Sequence, residues 1–352
     1  MLELLITADD RTGALETGGA CADLGFDVRL TTTPDAYNDC AVVDLDSRHC
    51  DADEAARRIG DAHRLDARFR CHKMDSGLRG NWAHEVAALV AMGRRVGVLA
   101  SFPDAGRRCD HGTVYIRDVP AAESPFGRDP RNRLLSSRPA DYLSAAGCQS
   151  ALADGRVAVL DANTNDELNA AAARCRDQGR TLVGTTGGVG AYVGTLRSRG
   201  RGDLPRLPRP VLVVCGSLHP LSRTQVAKLD CLTVGPDAES EGVLAALRRG
   251  EDVLLATEMT TATIADAVAE SMASTVAATT WDWIASSGAP TLVVLGGDTA
   301  AAILGDRMLR VLGSVDTAVP FCRTDDGLTV VTKGGGIGKE ETLVRLLDHE
   351  AG

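Results

Sequence analysis

Short Val- and Leu-rich runs alternate with Ala-rich amphipathic stretches along almost the whole chain, and this alternation constrains the fold most. The apolar runs lie at 2–8, 27–32, 40–45, 68–73, 96–101, 156–160, 181–186, 211–216, 252–257, 291–296 and 328–333. Helical patterns lie near 13–24, 52–65, 82–92, 166–178, 189–198, 220–229, 240–249, 261–286, 299–311 and 339–348. Parallel strands need crossovers, usually helical, and strands covered on both faces read as continuous apolar runs. The pattern predicts an α/β chain of mainly parallel sheets flanked by helices.

At 352 residues, two domains are expected rather than one. The seam is Arg199-Gly200-Arg201-Gly202-Asp203-Leu204-Pro205-Arg206-Leu207-Pro208-Arg209-Pro210, where prolines and glycines among charges continue neither a helix nor a central strand. Domains are therefore expected over 1–203 and 211–352. A second irregular stretch, 120–150, carries Pro120, Pro125, Pro130 and Pro139.

Aromatics make up 3%, so the core must be built mainly from Ala, Val and Leu. A net charge of −10 argues against sequence-independent nucleic-acid binding but leaves room for an anionic substrate held by local groups. None of the ten cysteines forms a C-x-x-C pair, so they are expected to be buried free thiols of a cytoplasmic protein. Cys71-His72 and Cys109-Asp110-His111 lack zinc spacing. No apolar run approaches the ~20 residues of a membrane span.

Chemistry concentrates where strands are expected to end. Leu4-Leu5-Ile6-Thr7-Ala8 runs into Asp9-Asp10, and a helical pattern follows from Gly13. Two adjacent carboxylates repel and need cations, hydroxyls or water around them. One acid suffices to cap the helix, so at least one is expected to face a ligand. After the strand at 68–73, Lys73-Met74-Asp75-Ser76-Gly77-Leu78-Arg79-Gly80-Asn81 crowds cations, an acid, a hydroxyl and an amide into nine residues. Arg offers a fork for a carboxylate and Lys a point charge, while Asn81 stands where it could cap the next helix.

In the second half, Gly296-Gly297-Asp298-Thr299-Ala300 follows a strand and opens a helix, a setting in which backbone N–H groups can receive phosphate. Thr299 is a candidate phosphate ligand, and Asp298 either holds Mg²⁺ or caps the helix. Lys333-Gly334-Gly335-Gly336-Ile337-Gly338 is a second glycine-rich turn that misses the P-loop pattern. Gly216-Ser217-Leu218-His219-Pro220 and Gly184-Thr185-Thr186-Gly187-Gly188 also end strands before helices, without a dinucleotide fingerprint. His219 is expected to pack or cap.

Taken in order, these segments, with Phe102-Pro103-Asp104-Ala105-Gly106-Arg107 between them, resemble the four-carbon acid sugar kinase family. The resemblance implies an N-terminal acid-sugar-binding domain, a C-terminal nucleotide-binding domain and an active site in the interdomain cleft. It implies ATP-dependent phosphorylation of a threonate, erythronate or 3-oxo-tetronate, with Asp9 or Asp10 orienting and deprotonating the hydroxyl. Asp9, Asp10, Lys73, Asp75, Arg79 and Asn81 would face the sugar acid, with Arg79 clamping its carboxylate. Ser217, Gly296, Gly297, Asp298, Thr299, Lys333, Gly334, Gly335 and Gly336 would face ATP, with Asp298 on Mg²⁺. Partners would be the sugar acid and ATP, with a homodimer admitted, and neither nucleic acid nor membrane. The chain departs from the family at Gly77, where Thr is usual, at His219, where a small hydroxyl residue is common, and at Gly336-Ile337. A sensor that kept the fold and lost turnover is the alternative.

Overall fold

The computed structural model describes residues 1–32, 39–124, 127, 133–197, 203–258 and 266–347, and the chain divides into two compact units, Met1–Arg201 and Gly202–Gly352. In the first unit, strands β1 (Leu2–Ala8), β2 (Val28–Thr31), β3 (Cys40–Asp44), β4 (Ala67–Lys73) and β5 (Val96–Leu99) are followed by β6 (Arg107–Asp110), β7 (Thr113–Ile116), β8 (Val119–Pro120), β9 (Val157–Val159) and β10 (Thr181–Gly184). Helices α1 (Arg11–Asp23), α2 (Ala52–Ala62), α3 (Trp82–Ala91), α4 (Pro139–Ala145), α5 (Gln149–Ala153), α6 (Asn165–Asp177) and α7 (Thr186–Gly194) alternate with them.

Seven of these strands form a parallel sheet in the order β2-β3-β1-β4-β10-β5-β9, and β6-β7-β8 make a small antiparallel meander. Leu2 and Leu5 of β1 join Ala41, Val43, Ile59, Trp82, Val86 and Leu89 in one apolar layer with α2 and α3. Helices α1 and α6 each pack on α7 in a second layer. From β1 the chain first goes to the edge strand β2 and returns to lay β3 beside β1, then reverses to the other side with β4. That reversal is the topological switch point of an open α/β sheet, where ligands bind beyond the carboxyl ends of the strands. The residues there are Asp9-Asp10 and Lys73-Met74-Asp75.

In the second unit the elements are β11 (Val211–Cys215), α8 (Pro220–Val226), β12 (Leu232–Val234), α9 (Ser240–Arg248), β13 (Val253–Ala256), α10 (Asp266–Ser287) and β14 (Thr291–Leu295). Then come α11 (Gly297–Leu304), β15 (Leu309–Asp316), β16 (Val319–Thr324), β17 (Thr329–Lys333) and α12 (Thr342–Leu347). Strands β12-β13-β11-β14-β17 run parallel, and β16 and β15 extend the sheet antiparallel. Here the switch point falls between β11 and β14, so the Gly216-Ser217 and Gly296-Gly297 turns flank it.

The eleven strands predicted from the apolar runs are all present. The structure adds the meander β6–β8, the short β12 and the antiparallel pair β15–β16, and it places α4 and α5 in the stretch 120–150. The helix predicted over 299–311 stops at Leu304, because Gly305 turns the chain and Leu309–Val311 already belongs to β15. Of the helix predicted over 261–286, residues 261–265 lie outside the described residues, as do 199–202 of the seam and 348 of the last helix. Eight of the ten cysteines are buried and all are free thiols, so they act as small apolar fillers. No described helix is long and apolar enough to cross a membrane.

Candidate functional site

Register fixes the first cluster. Ala8 pairs with Asp44 of β3 and with Lys73 of β4, so the segments after all three strands emerge level with one another. Asp10 is the helix cap: its Oδ1 accepts from the Gly13 amide at 2.9 Å. Asp9 does not cap. It is buried, and both the Ser47 and Arg48 amides donate to its carbonyl, at 3.0 and 3.1 Å.

Those amides deliver the residue that sequence reasoning missed. Arg48 Nε donates to Asp9 Oδ2 at 2.8 Å, its Nη1 to Asp10 Oδ2 at 2.7 Å, and its Nη2 lies 3.7 Å from Asp75 Oδ1. One guanidinium thus gathers three carboxylates, and despite burial their charges lift its affinity for the proton well above the ordinary value. Arg79 closes on Asp75 as a fork, Nε to Oδ2 at 3.0 Å and Nη2 to Oδ1 at 2.9 Å. Burial alone would raise the Asp75 carboxyl, but Arg48, Arg79 and Lys73 together hold it well below the usual carboxylate range. That edge of Arg79 is therefore occupied by Asp75 in this structure.

Lys73 is buried with its Nζ 4.0 Å from Asp9 Oδ1, and among the described residues that carboxylate oxygen has no hydrogen-bond donor. Gly13 makes room: a Cβ there would fall 2.7 Å from Lys73 Nζ and 2.7 Å from Asp10 Oδ1. One turn along α1, Glu16 accepts from Thr186 Oγ1 at 3.2 Å. Burial, with Asp10 nearby and against Lys73, raises its carboxyl to about 7. The guanidinium of Arg107, at the start of β6, is pushed down by burial and by Arg117, and it feels Asp75, Arg79 and Glu16.

Asn81 occupies the cap position of α3 but makes no capping bond. Instead its Nδ2 donates to the carbonyls of Ser47 and Cys50, both at 2.8 Å, and so braces the loop that carries Arg48. Beneath that loop runs a buried polar chain. Ser47 Oγ donates to Glu85 Oε1 at 2.5 Å, Glu85 Oε2 meets His72 Nε2 at 2.9 Å, and His72 Nδ1 meets Thr7 Oγ1 at 2.9 Å. Removing the Glu85 carboxylate orphans Ser47 and His72 together. Each unsatisfied buried group costs about 1–3 kcal/mol, so Glu85→Ala should lower the melting temperature by several degrees. It should also loosen Arg48 and weaken ligand binding by this unit, which calorimetry would read. An unchanged melting curve would show that the chain of polar groups carries no weight.

In the second unit, Cys215 pairs with Leu295 and Leu295 with Lys333, so three glycine turns also emerge level. They interlock tightly. A Cβ on Gly216 would sit 2.1 Å from Thr299 Oγ1, and one on Gly335 would sit 2.6 Å from Ser217 Oγ. Gly296 stands at the cap position of α11 with φ 117°, a conformation that favours glycine, so Asp298 is not the cap. Asp298 lies instead in the first turn, exposed, while Thr299 is buried. The amides of Gly297, Asp298 and Thr299 have no carbonyl within their own helix.

Lys333 turns inward: Nζ donates to the carbonyls of Gly334, Gly335 and Ile337 at 2.7, 3.3 and 3.0 Å. Burial draws its ammonium down to about 8. It organises the glycine turn, with Ser222 Oγ donating to the Gly335 carbonyl at 2.8 Å. Ser217 Oγ accepts from the His219 amide at 3.2 Å, and His219 caps α8 through Nδ1, which accepts from Leu221 N at 3.1 Å.

A carboxylate-and-cation cluster thus lies at the switch point of the first unit, and three interlocking glycine turns lie at that of the second. Two domain families match the chain in that order: a sugar-binding N-terminal domain over residues 4–150 and a nucleotide-binding C-terminal domain over 212–343. The D-threonate kinase of Salmonella typhimurium is 29% identical over 97% of both chains, and the 3-oxo-tetronate kinase of Methylobacterium radiotolerans is 27% identical over 99% of this chain and 100% of that one. A solved Salmonella typhimurium structure covers the whole chain at 20% identity with a TM-score of 0.81, which supports the fold. The chain belongs to the four-carbon acid sugar kinase family.

Proposed function

We propose that this protein is an ATP-dependent kinase acting on a hydroxyl of a four-carbon sugar acid of the threonate, erythronate or 3-oxo-tetronate type. The domain over 1–203 would bind the sugar acid and that over 211–352 the nucleotide. One observation carries the reading: Asp9 Oδ1 is buried without a donor, 4.0 Å from the Lys73 ammonium. A buried carboxylate oxygen needs a donor, and a substrate hydroxyl that donates to Asp9 and accepts from Lys73 satisfies both. Asp10, Asp75 and Asn81 then hold Arg48, Arg79 and the 47–50 loop around that hydroxyl.

Phosphoryl transfer asks mainly for positioning and charge neutralisation. The amides at the start of α11 and the Gly334–Gly336 turn would receive phosphate oxygens, with Ser217 and Thr299 as hydroxyl donors. Lys333 keeps the turn in shape. Asp298, an exposed carboxylate beside those amides, fits the single acid that typically accompanies Mg²⁺ on a nucleotide. When bound, the ion would neutralise phosphate charge.

An ADP-release assay over a panel of tetronates should show turnover of at least one. No turnover by protein that binds ATP would sink the reading. Asp9→Asn should lower kcat/KM for the sugar acid about 10- to 150-fold, the loss of a charge-assisted hydrogen bond, and leave ATP affinity nearly unchanged. Asp298→Ala should do the reverse. If both variants impair only ATP use, the N-terminal unit does not bind the sugar acid.

A further inference from the structure

We propose that Glu16 is the base that takes the proton from the attacking hydroxyl, with Asp9 orienting that hydroxyl rather than deprotonating it. The inference rests on the kinase reading above and assigns a residue within the same site. It begins with what the two aspartates already do. Oδ2 of each is bound to Arg48, at 2.8 and 2.7 Å, and Asp10 Oδ1 caps α1. Both carboxylates are therefore already engaged in holding Arg48, and Asp10 also in holding the helix.

Glu16 is placed differently. It lies one helical turn beyond Gly13, the residue whose missing side chain admits Lys73. Residues three apart share a helix face, so Glu16 lies on the face of α1 that meets the Lys73 ammonium, whose Nζ is 4.0 Å from Asp9 Oδ1. Its one hydrogen bond among the described residues comes from Thr186 Oγ1, at the start of α7, and it makes no ion pair there. The charged groups that face it are Lys73 at the end of β4, Asp10 at the head of α1, Arg48 after β3 and Arg107 on β6. Burial leaves its carboxyl poised near neutrality, where a base both accepts and releases a proton readily. In the step itself, the substrate oxygen bonds to the terminal phosphorus and the bond from that phosphorus to the bridging oxygen breaks. The nucleoside diphosphate leaves, and the hydroxyl proton passes to Glu16. Thr186 steadies the carboxylate meanwhile.

The ionised form is the active one, so kcat/KM for the sugar acid should rise with pH through about 7 and then level. The experiment compares that profile in the wild type, Glu16→Gln and Glu16→Asp, using the tetronate that the panel identifies. Glu16→Gln should lose about 10²-fold in kcat/KM together with the acid limb, while ATP binding by calorimetry stays unchanged. Glu16→Asp should keep the limb and lose less. Any limb due to the nucleotide's own phosphate persists in the Gln variant, so the difference between the two profiles reads Glu16. A Gln variant within about 3-fold of wild type, with its limb intact, would overturn the assignment and leave the kinase reading standing. Joint loss of ATP binding and of a cooperative melt would mark Glu16 as structural and overturn it too. A wild type that turns over no sugar acid removes both.

Discussion

Arg48→Ala should be the most damaging single change in the N-terminal unit, lowering both sugar-acid turnover and stability. Its guanidinium holds Asp9 and Asp10 at hydrogen-bond distance and draws in Asp75, and all four groups are largely withdrawn from water. Removing one partner of a buried ion pair costs about 3–5 kcal/mol, because the remaining charges stay uncompensated. We expect kcat/KM for the sugar acid to fall about 10³-fold and the melting temperature of that unit to drop by roughly 10 °C. Nucleotide binding should survive. Arg48→Lys should recover only part, since an ammonium cannot address two carboxylates with a rigid fork. The acid limb of stability should move as well. The folded Asp75 carboxyl is held below its unfolded value, so its contribution is complete above about pH 4 and is lost as pH falls. With Arg48 gone that depression shrinks, and acid unfolding should begin at higher pH. A variant that keeps activity within about 5-fold would show that Arg48 is a bystander.

The second large effect is expected at Gly216. Its missing Cβ is where Thr299 Oγ1 sits, 2.1 Å from the position a methyl group would take. Gly216→Ala must therefore push the first turn of α11 away from β11 and open the glycine turns that we propose hold phosphate. Overpacking of this kind typically costs about 1–3 kcal/mol, and here it falls on the turn proposed to face the nucleotide. Nucleotide affinity by calorimetry should drop about 10- to 100-fold while sugar-acid binding stays near wild type. Adding Thr299→Ala removes the clashing oxygen and leaves a carbon 3.2 Å from the new methyl group. The double variant should regain part of the loss, a non-additivity expected of touching residues. Simple additivity of the two changes would argue against the steric account.

Much of this was legible beforehand. The strand ends that gather the chemistry could be placed from sequence because strand-then-helix alternation leaves little choice of sheet, and each motif follows an apolar run directly. Arg48 was not legible. It lies in the polar loop Asp46-Ser47-Arg48-His49, which resembles any exposed turn until β3 is known to pair with β1. Glu16 gave one faint signal: it is the only charged residue between Arg11 and Asp23 of a Gly- and Ala-rich helix. Asn81 and Lys333 were singled out for their chemistry, and the structure shows what their polar atoms already hold: the Arg48 loop and the glycine turn. The pair β15–β16 escaped because antiparallel strands joined by a tight turn lack an intervening helix, so Leu309 and Val311 merged with the helix before them.

The position of β10 has a consequence for how this protein can be made and cut. It lies between β4 and β5, although more than eighty residues separate it from either in the chain. The Gly184 carbonyl accepts the Met74 amide at 2.8 Å, directly beside Asp75. On a ribosome, the first five strands of the sheet emerge with a slot left open between the fourth and fifth. That slot closes only when residues 181–184 arrive, and until then two unpaired strand edges face each other as templates for misassociation. A fragment ending at residue 150, where the matched sugar-binding region stops, would lack both β9 and β10 and keep the gap for good. Limited proteolysis should accordingly find the smallest independently folding N-terminal piece to extend past α7, to about residue 195, close to the boundary between the two units.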